Sequence, residues 1–386
     1  MLIPLSEARK LIDNTDFRKA PIERKSIYDA VGKVVGEDVY AMKNIPDTNL
    51  SAMDGFAFRV SDYNKYGELK IVGSLHPSSS EIPELKEGET YYVTTGSPIP
   101  KGADAVARIE ASKVMGERVK FIEEVFEGKD IKFVGEDISE GSLIISKGEI
   151  LTPYHLGILT IQGIKEINVA NVKSCVIASG DEIVPYYETG KIPDSISPIL
   201  LYLLGKFGES KYFGVVKDNK EEIINAMKKL SEECSYIVLI GGSSMGDKDY
   251  SKKVIREMGT LLFEGVAVNV IKRGGVGVIG DIPVINLPGQ VVSAITVFHE
   301  HGLHILSRMI GKEVRKFSYY FLDQDISVKH KMDSVFLFRT EGVYAKPLRW
   351  GTGLYSELAK ANAFGILARD KTYKRGETIE LQQFLI

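Results

Sequence analysis

The chain has 386 residues, more than a single hydrophobic core usually serves, so about two to four domains are expected. With 44% hydrophobic and 26% charged residues the composition is that of a soluble globular protein, and a net charge of -3 gives no bulk electrostatic case for binding nucleic acid or an acidic membrane. Residues 1–10 hold no apolar signal-peptide core and no apolar run is long enough to span a bilayer, which makes the cytoplasm the expected compartment.

In chain order, Ser6 to Ile12 reads as a short helix and Ser26 to Val35 as a second, ending near Gly36. Glu37 to Tyr40 reads as a strand. The stretch Ile45 to Phe58 opens polar and turn-rich and closes as a strand, with Asp54-Gly55 a tight-turn signal in its middle. From Leu69 to Val134 short β-rich runs alternate with turn residues, which predicts a small β domain carrying a long Gly/Pro loop at 95–104. Residues 153–162 read as a helix with Pro153 at its first position, and 163–169 as a strand. The division expected is a small α/β domain in two halves, 1–45 and 134–171, interrupted by the β domain at 46–133.

Strands and helices then alternate. Val172 to Ala178, 211–216, Tyr236 to Ile240, 261–270, 276–279 and 284–287 read as strands; 192–207, Asn219 to Glu233, 254–258 and 291–310 read as helices. That alternation predicts a parallel sheet with helices on both faces over 172–316. From Phe317 short alternating runs predict a C-terminal β domain, 317–386, which includes Trp350. Cys175 and Cys234 each adjoin an apolar run and read as buried thiols, with a disulfide or zinc site the less favoured alternative. His299, His301 and His304 are spaced so as to spread around a helix and read as helix surface, not as ligands.

The chemistry concentrates at strand ends. Tyr236 to Ile240 runs into Gly241, Gly242, Ser243, Ser244 and Gly246, then Asp247 and Asp249. Glycines there let backbone amides approach a ligand, and open α/β sheets bind ligands at this edge. Ser179-Gly180-Asp181-Glu182 repeats the pattern after the preceding strand, and Lys272-Arg273 could neutralise an anion. Taken singly each acidic residue reads as a solvated loop charge. Their shared position after apolar strands points to a phosphorylated small molecule bound with a divalent metal.

Leu50-Ser51-Ala52-Met53-Asp54-Gly55-Phe56-Ala57, Thr95-Gly96 through Gly102-Ala103-Asp104-Ala105-Val106 and Glu110, Gly135-Glu136-Asp137-Ile138, Ser179-Gly180-Asp181-Glu182, and Gly241-Gly242-Ser243 through Gly246 and Asp249 occur in that order. With them the whole chain resembles the MoeA family of molybdopterin molybdenumtransferases, also seen in the gephyrin E domain. The resemblance implies a multidomain α/β fold whose central sheet domain is MogA-like, and a homodimer whose site lies between one subunit's sheet domain and the partner. It implies Mg²⁺-dependent ligation of molybdate, or the near-isosteric tungstate, to the dithiolene of adenylylated molybdopterin, with hydrolysis of the adenylate and release of AMP. A MogA-like adenylyltransferase is the pathway partner it implies. Carried over residue by residue, the catalytic set is Asp54, Asp137, Glu182, Asp249 and Lys272, with Glu182 and Asp249 as metal ligands. The substrate-binding set is Thr95, Lys132, Asp181, Asp194, Ser195, Gly241, Gly242, Ser243, Arg273, Pro288 and Gly289.

The chain also departs from the family pattern. The basic Lys-Pro-Gly-Lys-Pro loop reads Lys272-Arg273-Gly274-Gly275-Val276, so Gly275 stands where a second lysine is usual and Arg273 is its candidate replacement. Leu-Pro-Gly-Asn-Pro-Val-Ser reads Leu287-Pro288-Gly289-Gln290-Val291-Val292-Ser293, an arginine before Gly-Glu-Asp is Lys132, and Asp-Ser-Asn-Ser reads Asp194-Ser195-Ile196-Ser197. Lysine for arginine keeps charge but loses the bidentate fork. The altered basic loop keeps open a paralogue that binds the pterin nucleotide without turnover; a third reading, a nucleotide-hydrolysing enzyme of the competence-damage type, is opposed by the Ser-Ala-Met-Asp-Gly region and the C-terminal β domain.

Overall fold

The computed structural model describes residues 2–241 and 250–385, and divides into two compact units: Met1–Asp38 with Ser146–Ile386, and Val39–Ile145.

The larger unit opens with helix α1 (Leu5–Asn14), which buries Ala8 and Ile12. Its central sheet is built from β1 (Ser174–Ser179), β2 (Ser210–Val216), β3 (Tyr236–Ile240), β4 (Thr260–Phe263), β5 (Gly275–Ile279) and β6 (Ile282–Leu287), in the order β2-β1-β3-β6-β5-β4. Alternate residues of β1 and β3 face opposite ways. Val176, Ala178, Val238 and Ile240 pack with α2 (Ser197–Leu204), α5 (Val291–Val297) and α6 (Leu303–Ile310). Cys175, Ile177, Ile237 and Leu239 pack with α3 (Lys220–Glu233) and α4 (Tyr250–Met258). Burial on both faces explains why these strands are continuous apolar runs.

The sheet is not wholly parallel. β2, β1, β3 and β6 run parallel, whereas β5 and β4 are antiparallel to their neighbours. The cause is local: Gly280 (φ 63) and Asp281 join β5 to β6, and so short a turn can connect only antiparallel strands. Strand order reverses between β1 and β3, so the C-terminal ends of these two strands flank a crevice. The C-terminal segment forms its own sheet, in which Asp333–Glu341 pairs with both Tyr344–Pro347 and Ala363–Leu367 and thereby closes a small five-stranded barrel. The segment Val268–Asn269 adds to it beside Asp333 and Ser334.

The smaller unit holds a six-stranded sheet ordered Ala105–Arg108, Gly55–Phe58, Glu89–Val93, Leu69–Leu75, Arg118–Phe121, Ser112–Met115. Phe56 and Phe58 fill one face of it and Ala57 the other.

Four further sequence expectations fail for identifiable reasons. Residues 26–35 are turns, not a helix: Gly32 takes φ 80, and the amides of Gly32, Val34 and Val35 donate to Leu151, Lys206 and Glu149 instead of to residues four back. The helix expected from residue 192 starts at Ser197, because Ile192–Pro193 forms a two-residue strand and Asp194 accepts from the amides of Ile196 and Ser197. Cys175 and Cys234 are joined as a disulfide, with Cα atoms 6.0 Å apart. Register explains it: Cys175 pairs beside Ile237 at the start of β3, and the chain enters β3 directly from Cys234 at the end of α3. Finally, His299, His301 and His304 are buried, not on a helix surface. The helix expected over 291–310 contains a π turn at Phe298–Gly302 that lies inside the core.

Candidate functional site

The crevice at the strand ends opens into a cleft of about 600 Å³. Each parallel strand supplies part of its wall: Ser179, Gly180, Glu182 and Ile183 after β1, Asp218 after β2, Gly241 after β3, Pro288 and Gly289 after β6. Lys272 and Arg273 come from the loop between β4 and β5, and Trp350 and Thr352 from the C-terminal segment. Six expected site residues therefore share this cleft: Glu182, Gly241, Lys272, Arg273, Pro288 and Gly289.

Gly241 is required by geometry. Its φ is 101, and a Cβ there would overlap the carbonyl oxygen of Ser179 on the neighbouring strand. Its own carbonyl accepts from the side chains of Asn286 at 3.0 Å and Ser251 at 3.4 Å. Asn286 is fully buried in β6, so an amide side chain inside the sheet fixes where the glycine loop departs. A buried polar residue in an apolar strand was the one signal of this support available in sequence.

The basic wall is set by strained backbone. Val270 has φ 76, a conformation costly for a β-branched residue, and it lines the cleft two residues before Lys272. Arg273 is half-buried and its Nε is buried with no partner. Neither Lys272 nor Arg273 makes an ion pair with a described residue. Two cations in a cleft wall with no carboxylate partner among the described residues fit an anionic ligand. Opposite in sign, Glu182 and Asp218 line the same cleft, and Asp218 accepts from Ser179 Oγ at 3.3 Å.

Among the described residues no group of three or more His, Cys, Asp or Glu side chains converges as a metal site. Mg²⁺ commonly keeps several waters and needs only one or two carboxylates plus substrate phosphates, so Glu182 beside Asp218 fits a shared protein–substrate ion. Asp249, the other expected ligand, lies outside the described residues, as do Gly242 and Ser243.

The remaining expected residues lie apart from this cleft's walls. Asp181 is exposed, and its side chain accepts from the amide of Asp218 at 3.3 Å. Asp194 is buried and spent within the protein: it caps α2, and its Oδ2 accepts from Tyr212 at 3.1 Å. Burial, then the Asp194 carboxylate, push the Tyr212 phenol up from its ordinary value. The hydroxyl of Ser195 bonds that of Tyr355. In the smaller unit Asp54 and Thr95 meet directly: Asp54 Oδ1 accepts from the Thr95 amide at 2.6 Å and its hydroxyl at 2.8 Å, and these bonds hold the carboxyl below the usual range. Lys132 is exposed on a two-residue strand paired to Leu50–Ser51, and Asp137 is exposed in a loop whose amide donates to Ile45.

Comparison with known proteins places this arrangement. Residues 3–163 match the family model described as the MoeA N-terminal region, domains I and II, and residues 175–308 match a probable molybdopterin binding domain. Over most of its length the chain resembles the MoeA family. Over 98% of both chains it is 28% identical to a putative molybdopterin biosynthesis protein of Methanocaldococcus jannaschii, and over 99% of both chains 25% identical to a molybdopterin molybdenumtransferase of Haemophilus influenzae. The crystal structure of a molybdopterin biosynthesis MoeA protein from Pyrococcus horikoshii superposes over the full length of both chains, with a TM-score of 0.82 and 28% identity.

Gly275, where the chain departs from the family pattern, can now be placed. It is buried at the start of β5, opposite Asn286, and a Cβ there would lie 3.2 Å from the carbonyl oxygen of Phe263. The position has little room for a long side chain. Arg273, two residues earlier, lines the cleft.

Proposed function

We propose that the cleft inserts molybdate, or tungstate, into the dithiolene of adenylylated molybdopterin, in molybdenum cofactor biosynthesis. One observation carries the reading: Lys272 and Arg273 stand together at the switch point of a MoeA-like sheet, without a carboxylate partner among the described residues. Lys272 and Arg273 hold the oxyanion or the substrate phosphate. Gly289 gives the phosphate close approach to the backbone at the end of β6, while the Gly241 amide is used within the sheet, donating to Leu287 at 2.9 Å. Glu182, together with Asp249, holds Mg²⁺, which when bound draws charge from a phosphate oxygen. Water adds across the phosphoanhydride, so that AMP leaves and the pterin keeps its own phosphate; the two dithiolene sulfurs replace oxygens of the metal oxyanion, which leave as water with the thiol protons. The reading also keeps Asp54, Asp137, Thr95 and Lys132 of the smaller unit and Asp181, Ser195, Gly242, Ser243 and Pro288 of the larger in the catalytic and binding sets, and leaves out Asp194, whose oxygens are taken by α2 and Tyr212. The working assembly is a homodimer supplied by a MogA-like adenylyltransferase, with the four-domain division drawn from sequence. The test is purified protein given adenylylated molybdopterin, Mg²⁺ and molybdate: AMP and active cofactor are expected together, and AMP no faster than without protein ends the reading.

The burial of Gly275 favours one alternative, a paralogue that binds the pterin nucleotide without turnover. Tight nucleotide binding with no AMP release at any molybdate concentration would select it.

A further inference from the structure

We propose that Trp350 is a stacking platform for a flat nitrogen heterocycle, adenine or pterin, whose attached phosphate is held by Lys272 and Arg273. The inference rests on the cleft being the nucleotide–pterin site. Trp350 is the chain's one tryptophan, it lines the cleft, and it is 38% exposed. Its ring is held in place on the protein's side. The indole N–H donates to the Val335 carbonyl at 3.1 Å, and the His330 ring lies against it with centroids 4.5 Å apart and planes 35° from parallel. The loop beneath is fixed as well. The Val292 amide, in the first turn of α5, donates to the Thr352 carbonyl at 3.0 Å. At Gly351 a Cβ would crowd the Leu354 side chain at 2.7 Å. That tether joins the tryptophan loop to the wall carrying Pro288 and Gly289.

A large apolar ring pinned by a hydrogen bond and a neighbouring ring, partly exposed, and the one aromatic side chain among the described residues lining a mostly polar cleft, is preorganised for a planar partner. Stacking is indifferent to the identity of the heterocycle, so the indole selects for a flat ring while the cations select for phosphate. The cleft volume of about 600 Å³ is ample for a ring, a short linker and a phosphate.

Because Trp350 is the one tryptophan, its emission reports on this position alone. The full chain, with Mg²⁺, is titrated with AMP, 6-hydroxymethylpterin and ribose 5-phosphate, following emission and binding heat. Saturable quenching by AMP or by the pterin identifies which ring stacks, and ribose 5-phosphate leaves emission unchanged. By calorimetry, Trp350→Ala weakens that ligand by roughly ten- to a hundredfold, the size of a lost base–aromatic stack, and leaves ribose 5-phosphate binding as it was. Trp350→Phe restores binding to within about threefold, which excludes misfolding as the cause. Unchanged emission with either ring compound bound to saturation overturns the proposal, as does equal affinity in Trp350→Ala. Molybdate-dependent AMP release with an unaltered KM in Trp350→Ala would end the stacking role and keep the proposed reaction. Ring-dependent quenching without any AMP release would do the reverse, and failure of the wild-type chain to bind either ring compound would end both.

Discussion

Two regions of the larger unit treat charge in opposite ways. At the strand ends, Lys272 and Arg273 are half-buried with no acidic partner among the described residues. At the π turn, Glu300 is 1% exposed and takes two bonds from Arg9, at 2.7 and 2.9 Å, with Arg315 at 3.9 Å. Burial alone would push the Glu300 carboxyl up, but the Arg9 guanidinium outweighs it and holds the group below its ordinary range. The contrast separates charge that is complete within the fold from charge that awaits something. Glu300 ties α1 to the core helix and needs no ligand; the cleft cations are arranged for one.

The sharpest way to break this comparison is at the complete pair. Arg9→Ala leaves a buried carboxylate short of its main partner and should cost about 3–5 kcal/mol of unfolding free energy, toward the low end because Arg315 remains. Urea denaturation measures it, and AMP release in the folded fraction should be unchanged. A loss below about 0.5 kcal/mol would make the pair ordinary surface.

At the cleft the effects reverse. Lys272→Ala and Arg273→Ala should each weaken the anion by one to two decades, since a charged hydrogen bond contributes roughly 1.5–3 kcal/mol, while unfolding free energy moves by less than about 0.5 kcal/mol. The readout is the molybdate concentration for half-maximal AMP release. If Arg273→Ala leaves it unmoved, Arg273 does not stand in for the lysine missing at 275.

The π turn makes a pH prediction. Burial lowers His299 and His301 to about 4, so the folded protein refuses protons that the unfolded chain accepts near pH 6.5. The stability concerned is fully present above about pH 6.5 and is lost as the pH falls toward 4, at up to about 1.4 kcal/mol per pH unit for each histidine. Denaturation midpoints from pH 7 to 4.5 should show the slope, to which His304, also lowered by burial, adds, and His301→Phe should make it shallower. A flat profile would mean that the rings meet water.

The smallest effect expected concerns the metal. Glu182→Gln keeps shape and removes charge, so the Mg²⁺ requirement for AMP release should rise about tenfold with unfolding unchanged, the loss of one carboxylate partner to the ion. An unaltered Mg²⁺ dependence would leave Asp218 and Asp249 as the ligands to examine.

What was legible in the sequence was local. Tyr236 to Ile240 announced a buried strand, which is present, and Gly241 after it is needed by the close approach of Ser179 on the neighbouring strand. The strand-end acids and the Lys272–Arg273 pair were visible for the same reason. What stayed hidden depends on distant register. Cys234 meets Cys175 because α3 returns the chain to the neighbouring strand, and nothing near either residue shows that. Trp350 and its neighbour Thr352 join walls whose other residues lie tens of positions away. Asp194 looked like a ligand for substrate, yet its oxygens serve α2 and Tyr212, a competition that only a helix boundary reveals.

The link between Cys175 and Cys234, 59 positions apart, turns part of the chain into a ring. Glu182 and Asp218 lie inside that ring; Lys272, Arg273, Pro288 and Trp350 belong to the open chain beyond it. The acidic wall of the cleft is thus carried on a closed loop and the basic wall on a thread. Pulled from its two ends, the oxidised molecule would surrender the basic wall to full extension but keep the ring's contour in reserve. At about 3.4 Å per extended residue, it would stop roughly 200 Å short of its reduced length.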